Sequence, residues 1–180
     1  INVNKTQNIH RDLDLSGWIV VGDVMLDSYL FGTVERVSPE APVPVVLMSD
    51  RDERPGGAAN VARNVQALGA KVHIATVIGN DTAGDRLHDL FKANSIGESA
   101  FIYEEGRITT IKTRIIRDNE HMLRVDEETD KAIGNKTAEK LIEACLKIMT
   151  KSKIDVVIFE DYDKGVLTPE IIKALTTEAK

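Results

Sequence analysis

A single cysteine, Cys145, stands in the 180 residues, so no disulfide can form within the chain, and a reducing compartment is its natural setting. No apolar run approaches the roughly 18 residues that a membrane helix requires. The first residues, 1–16, read as a polar, mixed-charge extension without the basic start and apolar stretch of a secretory signal. Excess positive charge is missing as well. Lys and Arg number 23 against 29 Asp and Glu, a net charge of −6, which argues against nucleic acid as a partner but leaves room for a local basic pocket that takes a small anion. Neither the Gly-x-x-x-x-Gly-Lys-Ser/Thr phosphate loop nor the Gly-x-Gly-x-x-Gly dinucleotide fingerprint occurs. Repeats and low-complexity tracts are absent too.

What is present alternates between two periods. Trp18 to Val21 is a short apolar run without polar alternation, which predicts a strand buried on both faces and ending at Gly22-Asp23. Ala58, Val61, Ala62, Val65 and Leu68 recur at helical spacing over 55–69, and Gly69 fits the helix end. Lys71 to Ile78 predicts a second strand, 82–94 a second helix, 137–151 a third helix with Cys145 on its packed face, and Ile154 to Phe159 a third buried strand. Thr168-Pro169-Glu170 opens a fourth helix, with Thr168 as cap and proline at the first helical position. Such alternation predicts an α/β fold with a mostly parallel sheet flanked by helices. Two stretches, about 30–50 and 100–127, break the rhythm. Asp118-Asn119 sits where a hairpin would turn, and these stretches are expected to form a small β-sheet apart from the core. Three core strands would make a small sheet, so the 180 residues are expected to be part of a larger functional unit.

Four segments carry candidate chemistry. Asp23 and Asp27 follow the first strand, where ligands of open α/β sheets bind, and a carboxylate can accept two hydrogen bonds from neighbouring hydroxyls. Gly56-Gly57 lead into the first helix and would let its backbone approach a ligand closely, with Asn60 in the first turn. The run Glu160-Asp161-Tyr162-Asp163-Lys164-Gly165, at the end of the third strand, offers partners for a hydroxyl, a phosphate or hydrated Mg²⁺. Lys112 and Arg114 share one face of a predicted strand and suit an anionic group. Each has an ordinary alternative: a loop-capping Asp, a plain turn, a solvated acidic loop, or cations that protect a strand edge.

Taken together these residues resemble the ribokinase-like (PfkB) carbohydrate kinases, in which Gly56-Gly57 with Asn60 would form the N-terminal signature and Asp27 would hold sugar hydroxyls. A narrower resemblance, to the D-glycero-β-D-manno-heptose-7-phosphate kinases within that family, rests on Val21 to Asp27, on Arg36 to Val45 with its Ser-Pro-Glu-Ala-Pro-Val-Pro run, on Glu53 to Ala62, and on Asp161-Tyr162 with Lys164-Gly165. It covers the chain from about Trp18 onward, a partial kinase domain over 17–180. It implies ATP- and Mg²⁺-dependent phosphorylation of the anomeric hydroxyl of a heptose 7-phosphate in the cytoplasm, a step toward ADP-heptose and lipopolysaccharide core. It further implies a β lid over the sugar that pairs into a homodimer, and sugar contacts from Asp23, Asp27, Gly56, Gly57 and Asn60. Asp161 falls in the matching segment, while Lys112, Arg114 and Lys164 are candidates for the 7-phosphate on charge. The family's second signature, Gly-Ala-Gly-Asp, occurs nowhere in the 180 residues. Its aspartate is the expected catalytic base, so that base and the nucleotide-binding part are expected beyond Lys180, and this stretch is expected to be inactive alone. A non-catalytic sugar-phosphate binding or dimerisation module remains a second reading. A phosphatase with an aspartate nucleophile fits poorly, because Asp23 and Asp27 lie four apart where the haloacid-dehalogenase arrangement sets its pair two apart.

Overall fold

The structure, a computed structural model, describes residues 17–94 and 99–179; the polar extension 1–16 and Lys180 lie outside them. Strand β1 (Gly17–Gly22) runs into β2 (Val24–Val37), which pairs with β3 (Pro44–Gly57), followed by helix α1 (Ala58–Ala67). Then come β4 (Lys71–Gly79), α2 (Thr82–Ala93), β5 (Ser99–Glu104), β6 (Ile111–Arg117), β7 (Glu120–Glu127), α3 (Asn135–Lys151), β8 (Val156–Glu160) and α4 (Pro169–Glu178). Two four-stranded sheets result, β5-β4-β1-β8, wholly parallel, and β3-β2-β6-β7.

The parallel sheet is buried on both faces, which explains why β1 shows no polar alternation. Val20 joins Val72, Ile74, Ala58, Ala62, Leu87 and Phe91 on the side of α1 and α2. Its neighbours Ile19 and Val21 face the other way, against Leu141, Cys145, Ile148, Ile171 and Leu175 of α3 and α4. Thr168 caps α4 as expected, its hydroxyl accepting the Ile171 N–H at 3.4 Å. Cys145 is fully buried, and desolvation pushes its thiol up to about 12. The native chain should therefore resist aromatic disulfide reagents at neutral pH and react stoichiometrically once unfolded, which a thiol titration with and without denaturant would read.

One expectation needs correcting. Residues 99–104 do not belong to the separate β-sheet: β5 pairs with β4 in register Ile74↔Ser99 to Gly79↔Glu104 and completes the edge of the parallel sheet. The second sheet is built instead from the long β2–β3 ribbon and the β6–β7 hairpin. That hairpin turns at Asp118 and Asn119, both at positive φ (50° and 66°), as a two-residue turn of this twist requires. Among the described residues no helix is long and apolar enough to cross a membrane.

Candidate functional site

At the carboxyl end of β1 the next strand of the parallel sheet, β4, lies on one side and β8, reached by the crossover back from β5, lies on the other, so the crevice there is the switch point of the sheet. Asp23 sits at that junction and is 1% exposed. Its carboxylate is enclosed by backbone: Oδ2 accepts the N–H groups of Tyr162 (2.9 Å) and Lys164 (3.1 Å), and Oδ1 accepts that of Val166 (3.1 Å). This carboxylate ties the 161–166 loop to the end of β1, because it gathers three converging N–H groups, one of them, that of Val166, in a buried hydrogen bond. Asp161 shapes the same loop; it is exposed, and its Oδ1 accepts the Asp163 N–H at 2.8 Å. Among the described residues no group of three or more His, Cys, Asp or Glu stands close enough together to hold a metal ion.

Asp27 lies elsewhere than the first strand's end, four residues into β2. Cross-strand register sets Arg54, Asp27, Lys112 and Asp126 in one row across the second sheet, and Asp52, Tyr29, Arg114 and Arg124 in the next row on the same face. Arg114 Nη1 donates to Asp27 Oδ1 at 2.6 Å. Burial alone would lower the Arg114 guanidinium, but the hydrogen bond and charge of Asp27 outweigh it and raise it. The guanidiniums of Arg114 and Arg54 each lie 5.2 Å from the centre of the Tyr29 ring. The other Asp27 oxygen rests against Gly56, where any Cβ would collide with it.

Gly56 and Gly57 lead into α1, as the sequence implied, and do so as the last residues of β3. Gly57 (φ 61°, ψ −134°) is the N-cap of α1; no side chain caps this helix, and Ala58 N–H donates to Asp23 O at 2.9 Å. Asn60 follows in the first turn and is exposed. Asp27, Gly56, Gly57 and Asn60 thus share one border, where β2 and β3 enter the helix layer.

Lys112 and Lys164 come from different layers and meet through a carboxylate the sequence reading did not single out. Glu128 Oε2 accepts Lys112 Nζ at 2.9 Å and Oε1 accepts Lys164 Nζ at 3.1 Å; Lys112 also reaches Asp126 Oδ2 at 3.0 Å, itself 2.9 Å from Arg124 Nε. Desolvation would lower Lys112, yet its hydrogen bonds with Glu128 and Asp126 leave it raised, and the hydrogen bond from Lys112 holds both acids below the usual carboxylate range. Arg107 was missed as well. Its side chain is 6% exposed, and it donates to the carbonyls of Lys131 and Lys164 near Glu104, which pins the loop that carries Lys164. Desolvation lowers its guanidinium, against the opposing charges of Glu104 and Asp23. A lone arginine in a loop between two strands offers no periodic signal by which to find it.

A parallel sheet flanked by helices, with a second sheet rising beside the carboxyl end of its central strand, is the ribokinase-like fold. The chain matches the pfkB family of carbohydrate kinases over residues 18–149 and belongs to that family. It is 40% identical over 180 residues to the Bifunctional protein HldE of Desulfatibacillum aliphaticivorans (98% of this chain, 36% of that protein). It is 44% identical over 161 residues to the Bifunctional protein HldE of Koribacter versatilis (89% and 32%). The chain spans about a third of the length of these relatives. Its fold is also similar to the phosphofructokinase-2 from Escherichia coli in complex with fructose-6-phosphate, at TM-score 0.66 and 20% identity over 91% of this chain and 51% of that one. A carbohydrate kinase from Agrobacterium tumefaciens aligns at TM-score 0.60 and 21% identity, over 92% and 50%.

Proposed function

We propose that this chain forms the sugar-phosphate side of an ATP-dependent kinase that phosphorylates the anomeric hydroxyl of D-glycero-β-D-manno-heptose 7-phosphate. The product would be the 1,7-bisphosphate that feeds ADP-heptose and lipopolysaccharide core synthesis in the cytoplasm. The observation that carries the reading is Asp27, held by Arg114 on one oxygen and against Gly56 on the other, beside the uncapped start of α1. A carboxylate fixed in this way accepts hydrogen bonds from hydroxyls without having to reorganise. The sequence resemblance through Ser38 to Val45 directs the reading to a heptose, and Lys112 and Lys164 supply charge for the 7-phosphate. The second sheet serves as the lid, and its exposed Val37, Leu47, Met48, Leu123 and Val125 favour pairing with the lid of a second copy.

ATP and Mg²⁺ would supply the transferred phosphoryl group and neutralise its charge. The 180 residues hold no Gly-Ala-Gly-Asp to provide the base, so this chain should bind sugar phosphate without turning it over. Calorimetric titration with heptose 7-phosphate, alongside a phosphorylation assay with ATP, tests both. Binding without turnover is expected, and Asp27→Asn should weaken it at least about tenfold, the scale of one charged hydrogen bond. Turnover by this chain, or full affinity in the Asp27→Asn variant, would count against the assignment.

A further inference from the structure

We infer that Glu128 is an internal stand-in for the substrate's anionic group: without ligand its carboxylate bridges Lys112 and Lys164, and an incoming phosphate displaces it. The inference rests on the reading of these two lysines as the 7-phosphate site. Both ammonium groups come from nearly covered side chains, 15% and 17% exposed, one on the β6 strand of the second sheet and one on the loop after β8. One carboxylate spans them, with one oxygen on each at hydrogen-bond distance. Phosphate offers the same bridge with more oxygens and more charge, and O–P–O spans little more than O–C–O.

Position and charge fit the exchange. Glu128 is the first residue after β7, in the irregular segment ahead of α3, and its side chain is 32% exposed. Downstream that segment is anchored, by Arg107 on the Lys131 carbonyl and by Glu104 on the Gly134 N–H at 2.8 Å. Glu128 lies ahead of both anchors and can swing without unseating them. The run Arg124–Asp126–Lys112–Glu128–Lys164 holds three cations and two carboxylates. With Glu128 turned out, Asp126 is the one acid of the run left in place, and Lys164 gives up the carboxylate that its ammonium holds among the described residues. The site therefore discriminates: an unphosphorylated sugar has nothing with which to displace Glu128, whereas a phosphorylated one both displaces it and takes its place. Ligand entry would also unlink the strand from the loop and relink them through the ligand, so phosphate binding and the position of the second sheet would be coupled.

The test is calorimetric titration of the 180-residue chain and its Glu128→Gln, Glu128→Ala, Lys164→Ala and Glu128→Gln/Lys164→Ala variants with heptose 7-phosphate and with unphosphorylated heptose, each variant first checked by thermal melt. Both Glu128 variants should bind the phosphorylated sugar about five- to tenfold more tightly, with no change for the unphosphorylated one, and the gain should vanish in the double variant. If Lys164→Ala weakens binding but neither Glu128 variant tightens it, the stand-in role is overturned and the phosphate site survives. If Lys164→Ala leaves affinity unchanged, or no variant binds, both fall. A gain shared equally by the unphosphorylated sugar would also overturn the inference, since it would mark a general loosening of the cleft.

Discussion

Replacing Asp23 with alanine should lower the thermal midpoint by about 6–12 °C and remove sugar-phosphate affinity even in the fraction that stays folded. The carboxylate is the shared acceptor for the N–H groups of Tyr162, Lys164 and Val166, at a site 1% exposed. Alanine leaves those donors without a partner, and each buried unsatisfied group costs about 1–3 kcal/mol. Water entering the gap would recover part of that, so about 3 kcal/mol is a reasonable net loss, and in a chain of this size each kcal/mol shifts the midpoint by about 2–4 °C. Asn should fall between, since its oxygen can serve Oδ2's two donors while its NH₂ then faces the Val166 N–H. The loss of affinity follows from geometry: the freed loop carries Lys164. Scanning calorimetry and ligand titration on the same samples would check both, and a near-normal midpoint for Asp23→Ala would refute the hub.

Gly57→Ala should be comparably severe and should act on the other side of the same junction. Gly57 has φ 61° and ψ −134°, a region essentially reserved for glycine, which costs other residues about 1–3 kcal/mol. A Cβ there would also run into the Asp23 carbonyl oxygen, the acceptor for Ala58 N–H. Relief requires α1 to move away from the β1–β2 junction, carrying Asn60 with it. Binding of heptose 7-phosphate should drop by more than about tenfold. Gly106→Ala is the matched control: φ is 75°, but nothing lies within 4 Å of the added carbon, so it carries the conformational cost alone. If the two variants lost equal stability and equal affinity, the contact with Asp23 would be irrelevant.

Both variants probe one feature, the meeting of β1, β3 and α1, and that feature shows how far the residues could be read in advance. The doubly buried strand, the helices and the Asp118-Asn119 turn were legible because each follows from a local period or a local φ requirement. The direction of the Asp23 carboxylate was not. An aspartate after a buried strand looks the same whether it faces a ligand or a loop, and its three donors are about 140 residues away in sequence. The placement of 99–104 failed for a similar reason, since a short apolar strand can pair with either sheet and only β4 as a neighbour decides it.

The family, the α/β alternation, the glycine pair and the cations on one strand face were thus determined by the amino-acid sequence itself, because motif and periodicity are properties of neighbouring residues. The lysine–glutamate bridge was decided by tertiary structure. Counted back from the turn at Asp118-Asn119, an unbroken ladder would set Lys112 opposite Val125, but a register shift between Ile115 and Ile116 sets it opposite Asp126. One extra residue in a strand turns every later side chain to the other face. The shift brings Asp126 onto the face of Lys112. Glu128 meets Lys164 because Asp23 and Arg107, both far away in sequence, hold the loop that carries it.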